Sequence, residues 1–96
     1  MDAMVRRFIV RGRVQGVGFR WFVDHEARQI GIRGWVRNNP DGTVEVLAVA
    51  AEAEMEVLRT KLHQGSRGSR VDAVNETEVP GQAPEEFTDF RIEGAW

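Results

Sequence analysis

Apolar and polar residues alternate along the first patterned segment of the chain, which runs from Arg6 to Val14. A period of two places successive side chains on opposite faces of an extended backbone. This segment is therefore predicted to be a strand with one face in the core and one face in water. One face carries Phe8, Val10 and Val14, and the other carries Arg7, Arg11 and Arg13.

The spacing of apolar residues changes after the glycine-rich segment from Gln15 to Gly18. Apolar side chains then recur at intervals of three and four, the spacing of one face of an α-helix. That face carries Phe19, Phe22, Val23, Ala27 and Ile30. Gly31 follows directly and is suited to end the helix, because glycine readily takes the left-handed conformation found there.

The rest of the chain is predicted to contain more strands and a second helix. Asp41 and Gly42 close a turn between two alternating runs, which is a strong hairpin signal. The apolar stripe of the helix is Ala51, Met55, Leu58 and Leu62. In chain order we expect strand Ile32 to Asn38, strand Val44 to Ala50, helix Ala51 to Gln64, strand Arg70 to Val79, a loop from Pro80 to Glu86, and a short strand through Phe90 and Ile92.

The order β-α-β-β-α-β, followed by a short C-terminal strand, fits two split β-α-β units. Right-handed crossovers then place both helices on one face of a mostly antiparallel sheet, which is an α+β ferredoxin-like two-layer sandwich. The 96 residues suffice for one core, so we expect a single domain from 1 to 96. This fold carries many unrelated functions and does not by itself predict an activity.

Composition narrows the class of protein. An apolar fraction of 42% and a charged fraction of 29% are typical of a soluble globular domain. The sequence contains no run of about eighteen apolar residues, the length needed to span a membrane. Its N-terminus lacks the basic, then apolar, then small residues of a secretion signal. The absence of cysteine excludes disulfides and thiolate chemistry. A net charge of −2 argues against bulk binding of nucleic acid. We expect a cytoplasmic monomer that binds a small molecule.

The glycine-rich segment lies where the first strand is predicted to turn into the first helix. Gly12, Gly16 and Gly18 permit backbone angles at which successive N–H groups converge. The unpaired N–H groups of the helix N-terminus add partial positive charge, and the planar guanidinium of Arg20 can hold two phosphate oxygens. These features fit an anion site, but a tight turn followed by a surface arginine would show them as well.

This segment is not a dinucleotide fingerprint, because Trp21 replaces the third glycine, and it is not a nucleotide P-loop, because no Gly-Lys-Ser/Thr follows. The residues from Gly12 to Arg20 resemble the signature segment of the acylphosphatase family. A second family segment is matched by Gly34 to Asn38 and by Asp41 to Glu45. The likeness covers nearly the whole chain in the family's order.

The resemblance implies a metal-independent hydrolase that cleaves acyl phosphates, releases inorganic phosphate and needs no cofactor. In the family, the arginine that matches Arg20 binds phosphate and the asparagine that matches Asn38 positions the attacking water. Backbone N–H groups of a phosphate-binding loop complete the cradle. In this chain that loop consists of Gln15, Gly16, Val17, Gly18, Phe19 and Arg20.

The expected chemistry agrees with what the sequence lacks near the loop. An acyl phosphate releases a carboxylate of reference pKa about 4, so a catalytic acid would gain little at neutral pH. No carboxylate pair or His–Ser set lies near the loop. On residue type alone, Asn38 could equally form the turn ahead of Asn39 and Pro40. The chain departs from the family's pattern at Gly65 to Gly68, where paired prolines are frequent, and at Trp96, where tyrosine is frequent.

Structural roles are predicted for the other chemically distinctive residues. Asp24, His25 and Glu26 are consecutive on a helix and therefore do not face one point, so we expect His25 to be exposed. Core or rim packing, rather than contact with substrate, is predicted for Trp21, Phe22 and Trp35.

Two other functions would suit the same fold. A reader of single-stranded RNA needs aromatic residues on the open face of the first and third strands. The predicted outward residues of these strands are Arg7, Ile9, Arg11, Glu45, Leu47 and Val49, and none is aromatic. A carbamoyl-phosphate-handling domain, like the acylphosphatase-like segment of larger hydrogenase-maturation carbamoyltransferases, would use nearly the same loop beside further domains. A free-standing hydrolase is favoured.

Overall fold

The predicted elements all occur, in the predicted order, in a computed structural model that describes residues 3–94. The largest difference in bounds is at the first strand, which begins at Met4 rather than at Arg6. The elements are β1 (Met4–Arg13), α1 (Phe19–Ile30), β2 (Arg33–Asn38), β3 (Val44–Ala50), α2 (Glu52–Gln64), β4 (Arg70–Glu78) and β5 (Phe90–Glu93), with a 3-10 turn at Pro84–Glu86.

The strands form one sheet in the order β4-β1-β3-β2-β5. All neighbouring strands are antiparallel except β2 and β5, which are parallel. The predicted ferredoxin-like α+β sandwich is thereby confirmed. Because β1 and β2 both run antiparallel to β3, and β5 runs parallel to β2, the carboxyl ends of β1, β2 and β5 meet at one edge of the sheet. That edge brings together three segments that are far apart in sequence.

Both helices pack against one face of the sheet and bury their predicted apolar stripes. The buried residues of α1 are Phe19, Val23 and Ala27, and those of α2 are Met55, Leu58 and Leu62. The sheet contributes Phe8, Val10, Val36, Val44, Val46 and Phe90 to the same core. Burial of each large apolar side chain stabilises the fold by roughly 1.5–3 kcal/mol. Neither helix in residues 3–94 has the length and apolarity to cross a bilayer.

The opposite face of the sheet is less open than the sequence suggests. Arg7 and Arg11 are exposed as predicted, but Leu47 and Val49 are only 3% and 1% exposed. Together with Val5 they form a second apolar cluster, against which Trp35, Val79 and Phe87 pack. Leu47 and Val49 do lie on the face opposite the helices, as predicted, but they are buried because the chain that follows β4 returns across this face.

Two hydrogen bonds hold the returning chain in place. The guanidinium of Arg33 donates to the backbone oxygens of Pro84 and Phe87, at 3.2 and 2.8 Å. Glu45, on the same face, is 6% exposed and forms ion pairs with Arg7 at 3.8 Å and Arg37 at 3.1 Å. A buried carboxylate is tolerated there because two guanidinium groups compensate its charge.

Gly12 has a different role from the one predicted for it. It lies within β1, at a β-bulge where the pairing with β4 shifts register, and its φ is 133°. A Cβ at this position would overlap the backbone oxygen of Arg70. Gly12 therefore permits the close approach of two strands just before the loop and does not line the loop's pocket.

Candidate active site

The predicted phosphate-binding loop connects the end of β1 to the start of α1. Gly16 and Gly18 have φ angles of 73° and 76°, in the left-handed region that glycine tolerates. Gly18 is the N-cap of α1, and its backbone oxygen accepts the first helical hydrogen bond from Phe22, at 3.0 Å. The glycines thus allow the strand to turn sharply into the helix.

The backbone N–H groups of this loop are available to a ligand. Within residues 3–94, no N–H group from Gln15 to Trp21 donates a hydrogen bond to another backbone oxygen. The first turn of any helix leaves such donors unpaired, and the helix dipole adds partial positive charge at the same end. Unpaired donors of this kind suit an anion with several oxygens, such as a phosphate group.

The guanidinium of Arg20 lies beside the loop, in the first turn of α1. One Nη atom donates to the backbone oxygen of Glu93 at the end of β5, at 3.2 Å. Among the described residues, no carboxylate forms an ion pair with Arg20. The group that anchors the side chain is neutral, so this contact does not compensate the positive charge of Arg20.

Asn38 is the last residue of β2 and reaches the same edge of the sheet. Its side-chain Oδ1 is buried and has no hydrogen-bond partner within residues 3–94. Leaving a buried acceptor unpaired costs about 1–3 kcal/mol, so a structure normally supplies a partner for it, from the protein or from water. An unpaired amide oxygen here marks a place where a polar group from outside the protein would be stabilised.

A pocket of about 230 Å³ unites these features. Its lining residues are Val14, Gly16, Gly18, Phe19, Arg20, Trp21 and Asn38. The structure thus brings Arg20, Asn38 and both loop glycines to one cavity. Two other predicted loop residues do not line it. Val17 packs against the main core, and the side chain of Gln15 points to the β2–β3 hairpin.

The side chain of Gln15 holds the loop to the hairpin that carries Asn38. Its Nε2 donates both hydrogens, to the backbone oxygens of Asn39 at 2.8 Å and Thr43 at 2.9 Å. From the sequence, only the backbone of Gln15 is expected to belong to the site. The two hydrogen bonds of its side chain join residues far apart in sequence, so no local pattern predicts them. Only the resemblance of both segments to one family could have indicated that the loop and the hairpin lie close together.

The hairpin itself is held by short-range hydrogen bonds. Asp41 Oδ1 accepts from the Thr43 hydroxyl at 2.7 Å and from the Thr43 backbone N–H at 3.0 Å. These bonds hold the pKa of the Asp41 carboxyl below its usual value. Asn39 Nδ2 donates to Thr43 Oγ1 at 3.1 Å. The turn is therefore ordered without any contact to the pocket, which fixes the end of β2 and so the position of Asn38.

Asp24 and Glu26 have partners outside the pocket, and His25 is exposed as predicted. Asp24 pairs with Arg28 one turn along α1, at 3.0 Å, and Glu26 pairs with Lys61 at 3.6 Å. In residues 3–94, no three His, Cys, Asp or Glu side chains are grouped so that they could share a metal ion.

The three aromatic residues predicted to pack at the core or the rim have different surroundings. Phe22 packs against the main core, with its ring 5.8 Å from that of Phe19. Trp35 lies on the other face of the sheet, under the guanidinium of Arg37 at 4.7 Å. Trp21 belongs to neither core, is 67% exposed and lines the pocket. Only Trp21 is therefore placed to meet a ligand in this cavity.

The sequence of the chain matches one protein family over most of its length. The model of the acylphosphatase family matches residues 6–92, which include the loop, Arg20 and Asn38. The chain belongs to the acylphosphatase family. The prediction of a hydrolase of this family is confirmed at that level, and the two signature segments both lie within the matched residues.

Curated relatives agree with this assignment. The acylphosphatase of Koribacter versatilis is 55% identical over 92 residues, which are 95% of this chain and 81% of the relative. The acylphosphatase of Pasteurella multocida is 48% identical over 87 residues, which are 91% of this chain and 94% of the relative. The likeness therefore extends over most of each protein.

Solved structures show the same fold. The crystal structure of acylphosphatase from Bacillus subtilis has a TM-score of 0.88 and 40% identity, covering 95% of this chain and 99% of that one. A crystal structure of full-length HypF, in a phosphate- and nucleotide-bound form, has a TM-score of 0.84 and 29% identity. That match covers 97% of this chain and only 12% of HypF.

The departure from the family's pattern at Gly65 to Gly68 does not line the pocket. Ser69 closes the loop at Gly65 to Gly68 by donating from its hydroxyl to the backbone oxygen of Ser66, at 2.7 Å. The segment from Pro80 to Glu86 does not line the pocket. Trp96 lies outside the described residues.

Proposed function

We propose that this chain hydrolyses acyl phosphates to a carboxylate and inorganic phosphate. A water held by Asn38 attacks in line a phosphorus whose oxygens are held by Arg20 and by the backbone N–H groups of the 15–20 loop. The observation that carries this proposal is that Arg20, Asn38 and residues of the loop with unpaired N–H groups all line one pocket, and that the Oδ1 of Asn38 has no partner within residues 3–94.

Charge complementarity supports the role of the loop and Arg20. The transferred phosphoryl group spreads negative charge over its equatorial oxygens in the transition state. Fixed N–H donors and one guanidinium stabilise that charge without reorganising, because the fold already holds them in position. The contact between Arg20 and the backbone of Glu93 helps to hold the guanidinium in position. It leaves the remaining guanidinium donors for the substrate.

The amide of Asn38 suits the placement of a water. Its oxygen accepts a hydrogen bond from the water and its nitrogen can donate one to a phosphate oxygen, and it brings no charge that would repel the substrate. As the water oxygen bonds to phosphorus, the bond from phosphorus to the carboxyl oxygen breaks and its electron pair leaves on the carboxylate. The water proton passes to a phosphate oxygen, so the reaction needs no side chain as a base.

The comparisons support a small hydrolase over a carbamoyl-phosphate-handling domain. The chain covers 81% and 94% of two curated acylphosphatases but 12% of HypF. Binding of single-stranded RNA would require exposed aromatic residues on the sheet face opposite the helices. That face is partly covered, and its aromatic residue, Trp35, packs there. Cytoplasmic location, the monomeric state, the single domain from 1 to 96 and a small-molecule substrate with no nucleic-acid or membrane partner remain predictions from the sequence.

The test is hydrolysis of benzoyl phosphate by the purified chain in the presence of a chelator. The wild type should turn over whether or not the chelator is present. Arg20→Gln should lower kcat/KM by about a hundredfold or more, and Asn38→Ala should lower kcat by a similar factor, in line with the loss of one positioned transition-state contact. Asn38→Ala should leave competitive inhibition by inorganic phosphate within about twofold of wild type.

The outcomes separate the two roles. Wild-type turnover no greater than that of Arg20→Gln would contradict the hydrolase. If phosphate inhibition weakened in Asn38→Ala as much as turnover fell, Asn38 would hold the loop and not the water. His25→Ala is the matched control, because His25 is an exposed residue of the same helix that does not line the pocket.

A further inference from the structure

Trp21 presents an unusually large apolar surface to solvent. It is 67% exposed, and Val57 is the other large apolar side chain in residues 3–94 that is exposed, at 44%. Trp21 belongs to neither apolar cluster of the fold. Because an indole contributes to stability mainly through the area that it buries, the fold itself gains little from tryptophan at this position.

The position of Trp21 in the helix explains why its ring meets the pocket. Long side chains on an α-helix lean towards the N-terminus and cover the preceding turn. Trp21 lies in the first turn of α1, so the preceding turn is the phosphate-binding loop. The indole accordingly lines the same pocket as Gly18 and Arg20.

The residues that line the pocket divide into polar and apolar ones. The loop glycines, Arg20 and Asn38 offer donors or an acceptor, which suit phosphate and water. Val14 and Phe19 are apolar but each is only 1% exposed, so they offer little surface to a ligand. Trp21 is the one lining residue with both a large apolar face and access to solvent.

From this division we propose that the indole of Trp21 binds the acyl group of the substrate and selects flat, apolar acyl groups, such as aromatic ones. The proposal rests on the proposed function, since it assigns the acyl end of the same substrate. With phosphate held by the loop, the acyl group projects from the polar residues towards solvent and packs against the indole. Stacked or edge-to-face aromatic contacts are favourable beyond the area that they bury.

The test compares benzoyl phosphate with acetyl phosphate, which share the phosphate and differ in the acyl group. In Trp21→Ala the KM for benzoyl phosphate should rise about fivefold to tenfold, the range expected for one lost aromatic contact, with kcat little changed. The KM for acetyl phosphate should change less than about twofold. Trp21→Phe should restore the KM for benzoyl phosphate to within about twofold of wild type, because a flat ring remains.

Two controls make the outcome specific. Val57→Ala removes exposed apolar surface that does not line the pocket and should change neither KM. Inhibition by inorganic phosphate should be the same in Trp21→Ala as in wild type, which shows that the loop is intact. Equal effects on the two substrates, or no effect on either, would overturn the role of Trp21. A wild type that hydrolyses neither substrate would overturn the proposed function, and the role of Trp21 with it.

Discussion

The side-chain amide of Gln15 connects the two segments that the proposed reaction needs in a fixed relation. Its two hydrogen bonds join the phosphate-binding loop to the hairpin that follows Asn38. Water could replace these bonds only if the loop and the hairpin separated. In the proposed reaction, the distance between the phosphate and the water would thus depend on a side chain that does not line the pocket.

This connection predicts the behaviour of Gln15→Leu, which has a similar size and no donors. Asn39 O and Thr43 O would each lose one hydrogen bond but keep the one from a hairpin N–H group. A typical hydrogen bond contributes about 0.5–1.5 kcal/mol, so the loss of two should lower the free energy of unfolding by about 1–3 kcal/mol. Urea denaturation measures this change. Turnover of benzoyl phosphate should fall more than inhibition by phosphate weakens. Gln29→Leu, at an exposed position on α1, is the control, and equal stability of the two variants would contradict the connection.

Residue type and order indicate which residues line the pocket better than they indicate the contacts around it. Arg20 and Asn38 were assigned because they match two family segments, and the loop glycines because a strand must turn there into a helix. The contacts of Gln15, and the anchoring of Arg20 by Glu93, join residues 28 and 73 positions apart. No local pattern encodes such pairings, because they depend on which strand ends share an edge of the sheet.

At the scale of the elements, the end of β1 determines how the loop leaves the sheet. The bulge at Gly12 shifts the pairing with β4 just before Val14, and local twist increases at such bulges. Periodicity predicted β1 correctly from Phe8 and Val10, whose alternation is local. It could not predict the bulge, because the cause lies in the neighbouring strand at Arg70.

Gly12→Ala should therefore destabilise the protein strongly. Its φ of 133° is unfavourable for alanine, and the new Cβ would overlap the backbone oxygen of Arg70. We expect a loss of roughly 3 kcal/mol or more, measured by thermal or urea unfolding. The control is Gly81→Ala, which has a φ of 89° but open space around the Cβ and should lose only about 1–2 kcal/mol. Equal losses would mean that backbone strain, and not the contact between strands, requires glycine at position 12.

At the scale of the whole molecule, the sheet has apolar clusters on both of its faces. The helices cover one face, and the chain between β4 and β5 partly covers the other through Val79 and Phe87. The sequence predicted the first cluster from helical stripes. It did not predict the second, since Leu47 and Val49 acquire their cover from a segment whose own pattern is irregular. The pocket opens at the edge of the sheet and not on the covered face.

A substitution at Phe87 should consequently lower the stability of the protein without changing its catalysis. Phe87→Ala removes a half-buried ring from the second cluster and should lower the free energy of unfolding by about 1–3 kcal/mol, less than for a fully buried phenylalanine. The kcat and KM for benzoyl phosphate should stay within about twofold of wild type at a temperature where both proteins are folded. Thr88→Ala, at the exposed neighbouring position, is the control. A change in kcat without a change in stability would show that the covered face communicates with the pocket.

The contact between Arg20 and the backbone of Glu93 also determines when, during synthesis, the surroundings of Arg20 can be completed. Arg20 is synthesised early and its anchor is synthesised 73 positions later, on a strand that pairs in parallel with β2. Contacts between residues so far apart form slowly, because the intervening chain must be ordered first. In a chain still being translated, the Arg20 guanidinium cannot gain this anchor until β5 has been made and has docked. If Arg20 binds phosphate as proposed, we expect full activity only from chains whose synthesis has passed β5.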